Sequence, residues 1–184
     1  MPKKNNLLKW DKFHTIIFDF DGIFTANKVY LDEHGKETVR CDRSDGLGFD
    51  ILKSFKKKNF WKVDYFILSK EKNPVVIKRA EKLGINVFNG ISRKDTFIKN
   101  YLKDKFGEYL NSCNGVLYLG NDLNDLSAIL LCGFSIAPND AHELIKKTAN
   151  LTLKSNGGDG FVREVIEKII NIDNMSLEEI QNII

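Results

Sequence analysis

Four short stretches of this sequence carry the residue types that handle anionic oxygen chemistry. Asp19-Phe20-Asp21-Gly22 places two carboxylates one residue apart. At the carboxyl end of a strand, side chains i and i+2 share a face, so both acids point one way and Phe20 the other. Like charges this close are unfavourable unless a cation sits beside them or one acid keeps its proton. Oxygen donors alone suit a hard ion such as Mg²⁺. The same residues also read as a plain turn, since Asp-Gly pairs favour one. Gly120-Asn121-Asp122-Leu123-Asn124-Asp125 crowds acid and amide oxygens in a second place. Gly120 permits close backbone approach there, and Asn121 or Asp122 could equally cap a helix. Ser69 follows an apolar run and Lys94 opens a helical pattern. A hydroxyl, an ammonium and a helix N-terminus would all meet an anion. Taken singly, Ser69 reads as a cap and Lys94 as a surface charge.

These residues fall at the ends of alternating elements. Short apolar runs at 13–19, 63–68, 86–88, 116–119, 134–136 and 151–153 read as strands. In the first, Ile16, Ile17 and Phe18 are consecutive, as in a strand buried on both faces. Helical patterns fill the gaps at 45–58, 74–83, 94–106, 123–131, 141–147 and 160–170, with Gly84 as a stop signal. Ser176, with Glu179 three residues on, predicts a capped short helix over 176–184. Strands joined by such helices make right-handed crossovers. The expectation is one domain over 1–184: an α/β, Rossmann-like, mainly parallel sheet with helices on both faces. Ligands collect at the carboxyl ends of such sheets. Two acids, a hydroxyl, a lysine and an acidic loop then follow one another along that edge. Residues 28–40 break the alternation. Two β-rich runs flank a turn containing His34 and Gly35, which predicts a small hairpin over the ligand edge.

Composition excludes several other classes. With 184 residues, 42% hydrophobic and 13 Phe, the chain can close a core without staples. Basic and acidic residues nearly balance, 28 against 25, for a net charge of +3, so nothing marks a nucleic-acid binder. Lys56, Lys57 and Lys58 read as a solvated helix end. No apolar stretch reaches the ~18 residues of a membrane span, and residues 1–10 lack the apolar core of a secretory signal. Cys41, Cys113 and Cys132 match neither a disulfide framework nor a zinc site. The expectation is a reduced, cytoplasmic domain.

Taken together, the four strand-end motifs resemble the haloacid dehalogenase-like phosphotransferases. Ser44-Asp45-Gly46-Leu47-Gly48, the hairpin in place of a cap domain, Asn139-Asp140-Ala141 and Gly157-Gly158-Asp159-Gly160-Phe161-Val162-Arg163-Glu164 look like its capless sugar-acid phosphatases. That resemblance implies a phosphomonoester hydrolase in which Asp19 is the nucleophile and Asp21 the general acid and base. It implies Mg²⁺ held by Asp19, Asp21 and the acidic loop, with Ser69 and Lys94 on the phosphate. Many relatives have Gly-Asp-Asp where this chain has Gly120-Asn121-Asp122, so Asn121 takes the usual ligand place and Asp122 or Asp125 would supply the missing charge. Small relatives of this kind form tetramers in which hairpin and C-terminal segment cover a neighbour's site. Asp45, Gly46, Gly158 and Arg163 are accordingly carried over as substrate-binding candidates, and Val29, Tyr30 and Leu31 as interface.

Substrate choice rests on Glu71 and on Lys82 eleven residues later, which look like the pair of the nonulosonic (sialic-type) acid 9-phosphate phosphatases. Ordinary helix-surface charge is the simpler account of both. Lys82, Lys72 and Arg43 are the candidate partners for a substrate carboxylate. The alternatives are the 3-deoxy-octulosonate 8-phosphate phosphatases, and a phosphatase-like module that supports an acylneuraminate cytidylyltransferase.

Overall fold

Six parallel strands form the central sheet: β1 (Thr15–Phe18), β4 (Asp64–Leu68), β5 (Asn86–Phe88), β6 (Val116–Leu119), β7 (Phe134–Ala137) and β8 (Leu151–Thr152). Across the sheet they run β5-β4-β1-β6-β7-β8. The chain therefore builds outward from β1 to one edge, returns to β1's other side, and builds outward again. This is the Rossmann order, with its switch point beside β1. The computed structural model describes residues 8–184, so the reading of the N-terminal segment rests largely on residues outside those described.

Two cores explain why β1 is apolar throughout. Ile16 and Phe18 pack on one face with α1 (Ser44–Lys58), α2 (Pro74–Leu83) and α6 (Phe161–Ile170). Ile17 packs on the other with α3 (Lys94–Phe106), α4 (Leu126–Leu131) and α5 (Glu143–Thr148). Helices thus cover both faces, as the alternation predicts. Where α1 meets α6, Gly48 lets the backbones close: a Cβ there would lie 3.3 Å from the Arg163 Cα.

Element ends depart from the periodicity for local reasons. Phe13 closes a 3₁₀ turn at Trp10–Lys12 through its N–H to the Trp10 carbonyl, so β1 starts later than the apolar run. The helix expected at 123–131 opens as a 3₁₀ turn, Leu123–Asp125, because Asp122 and Asp125 form a capping box. Helix α5 begins at Glu143, with the His142 Nδ1 accepting from the Leu144 N–H at 3.1 Å. The capping box predicted for the tail is present, Ser176 and Glu179 opening α7 (Leu177–Gln181).

The hairpin forms as expected from β2 (Tyr30–Leu31) and β3 (Glu37–Thr38), paired antiparallel. Its turn is held by Asp32, whose Oδ1 accepts from the His34 and Lys36 N–H groups, while Gly35 takes φ +77°. Val29, Tyr30 and Leu31 are all more than half exposed on it. Among the described residues, no helix is long and apolar enough to cross a membrane, and Cys41, Cys113 and Cys132 are unpaired thiols.

Candidate active site

The carboxyl ends of β1, β4 and β6 open into a cavity of about 550 Å³, bounded above by the hairpin. Asp19 and Asp21 both line it, while Phe20 is fully buried in the core. Asp19 continues the β1–β6 ladder through its N–H to the Leu119 carbonyl at 2.9 Å, which fixes the carboxylate at the floor. It is 3% exposed.

Beneath the floor lies a closed ionic network. Lys94 Nζ stands 2.7 Å from Asp19 Oδ1 and 2.7 Å from Asp125 Oδ1. Tyr118 donates its hydroxyl to the same Asp125 oxygen at 2.6 Å. The other oxygen of Asp125 accepts from the N–H groups of Asn121 (2.9 Å) and Asp122 (3.3 Å). Burial would push the Lys94 ammonium down, but the two carboxylates outweigh it and hold the ammonium above its usual range. Asp19 is pushed the other way for its type, upward, because burial and the Asp125 charge exceed what Lys94 returns. Two acids share one cation, and the charged form of Asp19 is the one disfavoured.

Asp21 sits higher and half-exposed. Burial, then the neighbouring Glu71 carboxylate, raises its pKa, with a hydrogen bond from Thr25 opposing. Thr25 is fully buried, and its Oγ1 also accepts from the Gly22 and Asn27 N–H groups (3.2 Å each), so it fixes the loop that carries Asp21. Ser69, 1% exposed at the end of β4, lines the same floor. Its Oγ accepts from the Glu71 N–H at 3.0 Å. Glu71 in turn accepts from the Lys72 and Asn73 N–H groups, and Asn73 caps α2. Asn73 Nδ2 also donates to Glu37 Oε2 at 2.8 Å, tying the hairpin to this loop.

The donor set suits a hard cation. Among the described residues no group of three or more His, Cys, Asp or Glu side chains could hold a metal, but an amide takes a carboxylate's place here. Asn121 is 7% exposed, and its Oδ1 is buried without a hydrogen-bond partner. Its side chain lies against Gly22, where a Cβ would come within 1.8 Å of Asn121 Nδ2. An orphaned oxygen beside two acids is what an oxygen-seeking ion would satisfy. Asp122 also lines the cavity.

Several residues singled out from the sequence lie elsewhere. Asp125 is fully buried and saturated by four donors, so it does not make up for the charge missing at Asn121; it anchors Lys94 instead. Asp45 is also fully buried and cannot touch a substrate: Oδ1 accepts from the Arg163 N–H, joining α1 to α6, and burial pushes its carboxyl up to about 7. The Arg163 side chain pairs with Glu167 at 2.6 Å. Gly46 faces Leu83 and is no part of the cavity wall. Gly158 packs on its own chain's Thr25–Ala26 backbone, where a Cβ would come within 2.5 Å, and a Cβ at Gly157 would come within 2.0 Å of the Gly22 carbonyl oxygen. These glycines buttress the Asp21 loop rather than a ligand. Lys82, exposed in the last turn of α2, lies outside the cavity wall, and the stem of Lys72 packs over Gly90. Tyr118, Thr25, Glu37 and Lys70 belong to the site or its support and were not singled out. Tyr118 reads in sequence as one more apolar strand residue.

Comparison with known proteins places this geometry. Residues 23–165 match the family model described as haloacid dehalogenase-like hydrolase. The 3-deoxy-D-manno-octulosonate 8-phosphate phosphatase of Haemophilus influenzae is 27% identical over 169 residues, 91% of this chain and 88% of that one. A HAD-family hydrolase from Streptomyces avermitilis superposes with a TM-score of 0.82 at 35% identity, covering 95% of both chains. The octulosonate phosphatase of Moraxella catarrhalis, solved with magnesium, phosphate and its sugar acid, gives 0.76 at 29% identity over 88% of each chain. With its Rossmann-ordered sheet, capless hairpin and strand-end acids, this chain belongs to the haloacid dehalogenase-like hydrolase family, as a phosphomonoester hydrolase of the capless sugar-acid phosphatase type.

Proposed function

We propose that the chain hydrolyses the 9-phosphate of a nonulosonic acid, with Asp19 as nucleophile and Asp21 as general acid and base. The observation that carries the chemistry is the convergence of Asp19, Asp21, Ser69 and Asn121 on one cavity at the switch point of the sheet, with Lys94 buried beneath Asp19 and not, as the resemblance implied, on the phosphate. An Asp19 oxygen attacks phosphorus as the bond to the sugar oxygen breaks, and Asp21 gives that oxygen its proton. Asp21 then takes a proton from water, whose oxygen attacks phosphorus and frees Asp19. Lys94 holds the attacking carboxylate in place from below, and Ser69 offers its hydroxyl to the phosphoryl oxygens. Mg²⁺, held by Asp19, Asp21 and Asn121 with Asp122 beside them, supplies positive charge to the phosphoryl group when bound. The magnesium in the Moraxella catarrhalis enzyme supports this assignment.

The substrate reading rests on Glu71, which the loop before α2 fixes on the cavity wall where sugar hydroxyls would lie. The octulosonate reading draws on the names of the relatives. Phosphate release from a panel of sugar-acid phosphates decides between them. Faster turnover of nine-carbon than eight-carbon acids is expected, and the reverse order overturns the choice. The exposed Val29, Tyr30 and Leu31 support self-association through the hairpin, as a tetramer. The unpaired thiols fit a cytoplasmic enzyme.

Asn121 makes a second prediction. Its amide gives the metal an oxygen but no charge, and Asp125 is committed elsewhere. Asn121→Asp therefore lowers the Mg²⁺ concentration needed for half-maximal activity, and magnesium raises the melting temperature of the variant more than that of the parent. Unchanged values in both titrations count against Asn121 as a ligand.

A further inference from the structure

We infer that Lys70 is a specificity-determining residue that meets the carboxylate of the substrate, an inference that rests on the sugar-acid reading above. Such a substrate has two anionic ends. The phosphate end is provided for at the floor. The rest of the wall is unsuited to a second anion: Glu37, Glu71 and Asp122 are acidic, and Val39 and Val75 are apolar.

One basic side chain lines this cavity among the described residues, and it is Lys70. Ser69 at the floor is buried and Lys70, next in the chain, is exposed, so the two mark the bottom and the rim of one strand end. Lys70 forms no ion pair and no side-chain hydrogen bond with any described residue, although three carboxylates lie on the same wall. Lys72, Lys82 and Arg43, the other candidates for a substrate carboxylate, lie outside the cavity wall, and three arginines are committed elsewhere. Arg40 pairs with Asp159 at 2.5 Å, Arg79 donates to the Asp42 carbonyl at 2.6 Å, and Arg163 holds Glu167. An unengaged ammonium on an otherwise acidic rim gives a carboxylate its one favourable approach, and it does so over a length set by the sugar chain.

The test compares a sugar-acid phosphate with p-nitrophenyl phosphate, which lacks the carboxylate. An exposed pair of this kind is worth up to about 1 kcal/mol, so Lys70→Gln should raise KM for the acid substrate roughly threefold to fivefold more than for p-nitrophenyl phosphate. Lys70→Arg should return most of that difference, and added salt should shrink it in the parent. Equal changes in KM on both substrates, no change on either, or the same selective rise from Lys82→Gln instead would overturn the assignment. Which sugar acid the parent prefers decides the reading above; the acid-to-nitrophenyl ratio in the Lys70 variants decides this one.

Discussion

Asp19→Asn abolishes phosphate release, by on the order of 10⁴-fold or more, and leaves the folded protein as stable as the parent. The loss follows from chemistry: a carboxamide is too poor a nucleophile to form the covalent intermediate. The preserved stability follows from the network below the floor. Lys94 lies 2.7 Å from each of two buried carboxylates, so one ammonium serves two acids and the charged form of Asp19 is disfavoured in the parent. The variant leaves Lys94 paired with Asp125 alone, and the new amide can still accept from the lysine through its oxygen. Phosphate release and thermal melting, measured on the same preparation, check both halves. Turnover within tenfold of the parent removes Asp19 from the nucleophile's place. A large fall in melting temperature shows instead that its charge is structural.

What could be read from the sequence divides along physical lines. The sheet was legible because β1, β4 and β6 are short apolar runs, each followed at once by polar residues, a signal contained within a few positions. Asp19, Asp21, Ser69 and Lys94 were legible for the same reason: each is fixed to a strand or helix end, and the parallel sheet brings those ends together. The acidic loop was not. Asn121, Asp122, Asn124 and Asp125 offer four oxygen-bearing side chains, and only the 3₁₀ turn decides that Asp125 points down to Lys94 and Tyr118 while Asn121 faces Gly22.

Lys82 and the two glycines lie away from the cavity wall for a different reason. Glu71 and Lys82 are separated by a constant number of residues, but Glu71 lies before α2 and Lys82 in its last turn. A helix rises 1.5 Å per residue, which puts Lys82 about 12 Å along the axis from Pro74. Gly157 and Gly158 look like a turn before a helix. Their reason is a backbone at Gly22–Ala26, far away in the chain and invisible to any local pattern. Residues set by their own element's ends were readable; residues set by a partner distant in sequence were not.

Lys94→Ala has the opposite balance to Asp19→Asn, for it removes the shared cation. Asp19 and Asp125 would then face each other across a dry floor, at 3% and 0% exposure. Removing one partner of a buried ion pair costs roughly 3–5 kcal/mol, because the charge left behind has neither water nor counter-ion. For a chain of this size that corresponds to a melting temperature lower by roughly 6–20 °C. Activity falls as well, since the attacking carboxylate loses the contact that orients it. Fold and catalysis can be separated with a second change. Lys94→Ala combined with Asp125→Asn leaves a single acid, with the new amide oxygen accepting from the Asn121 and Asp122 N–H groups and its NH2 donating to the Tyr118 hydroxyl, so part of the lost stability returns while activity does not. A Lys94→Ala protein that melts with the parent would mean that Asp19 and Asp125 do not both carry charge in the folded state. A double variant that regains turnover would show that Lys94 supports the fold and has no part in positioning the nucleophile.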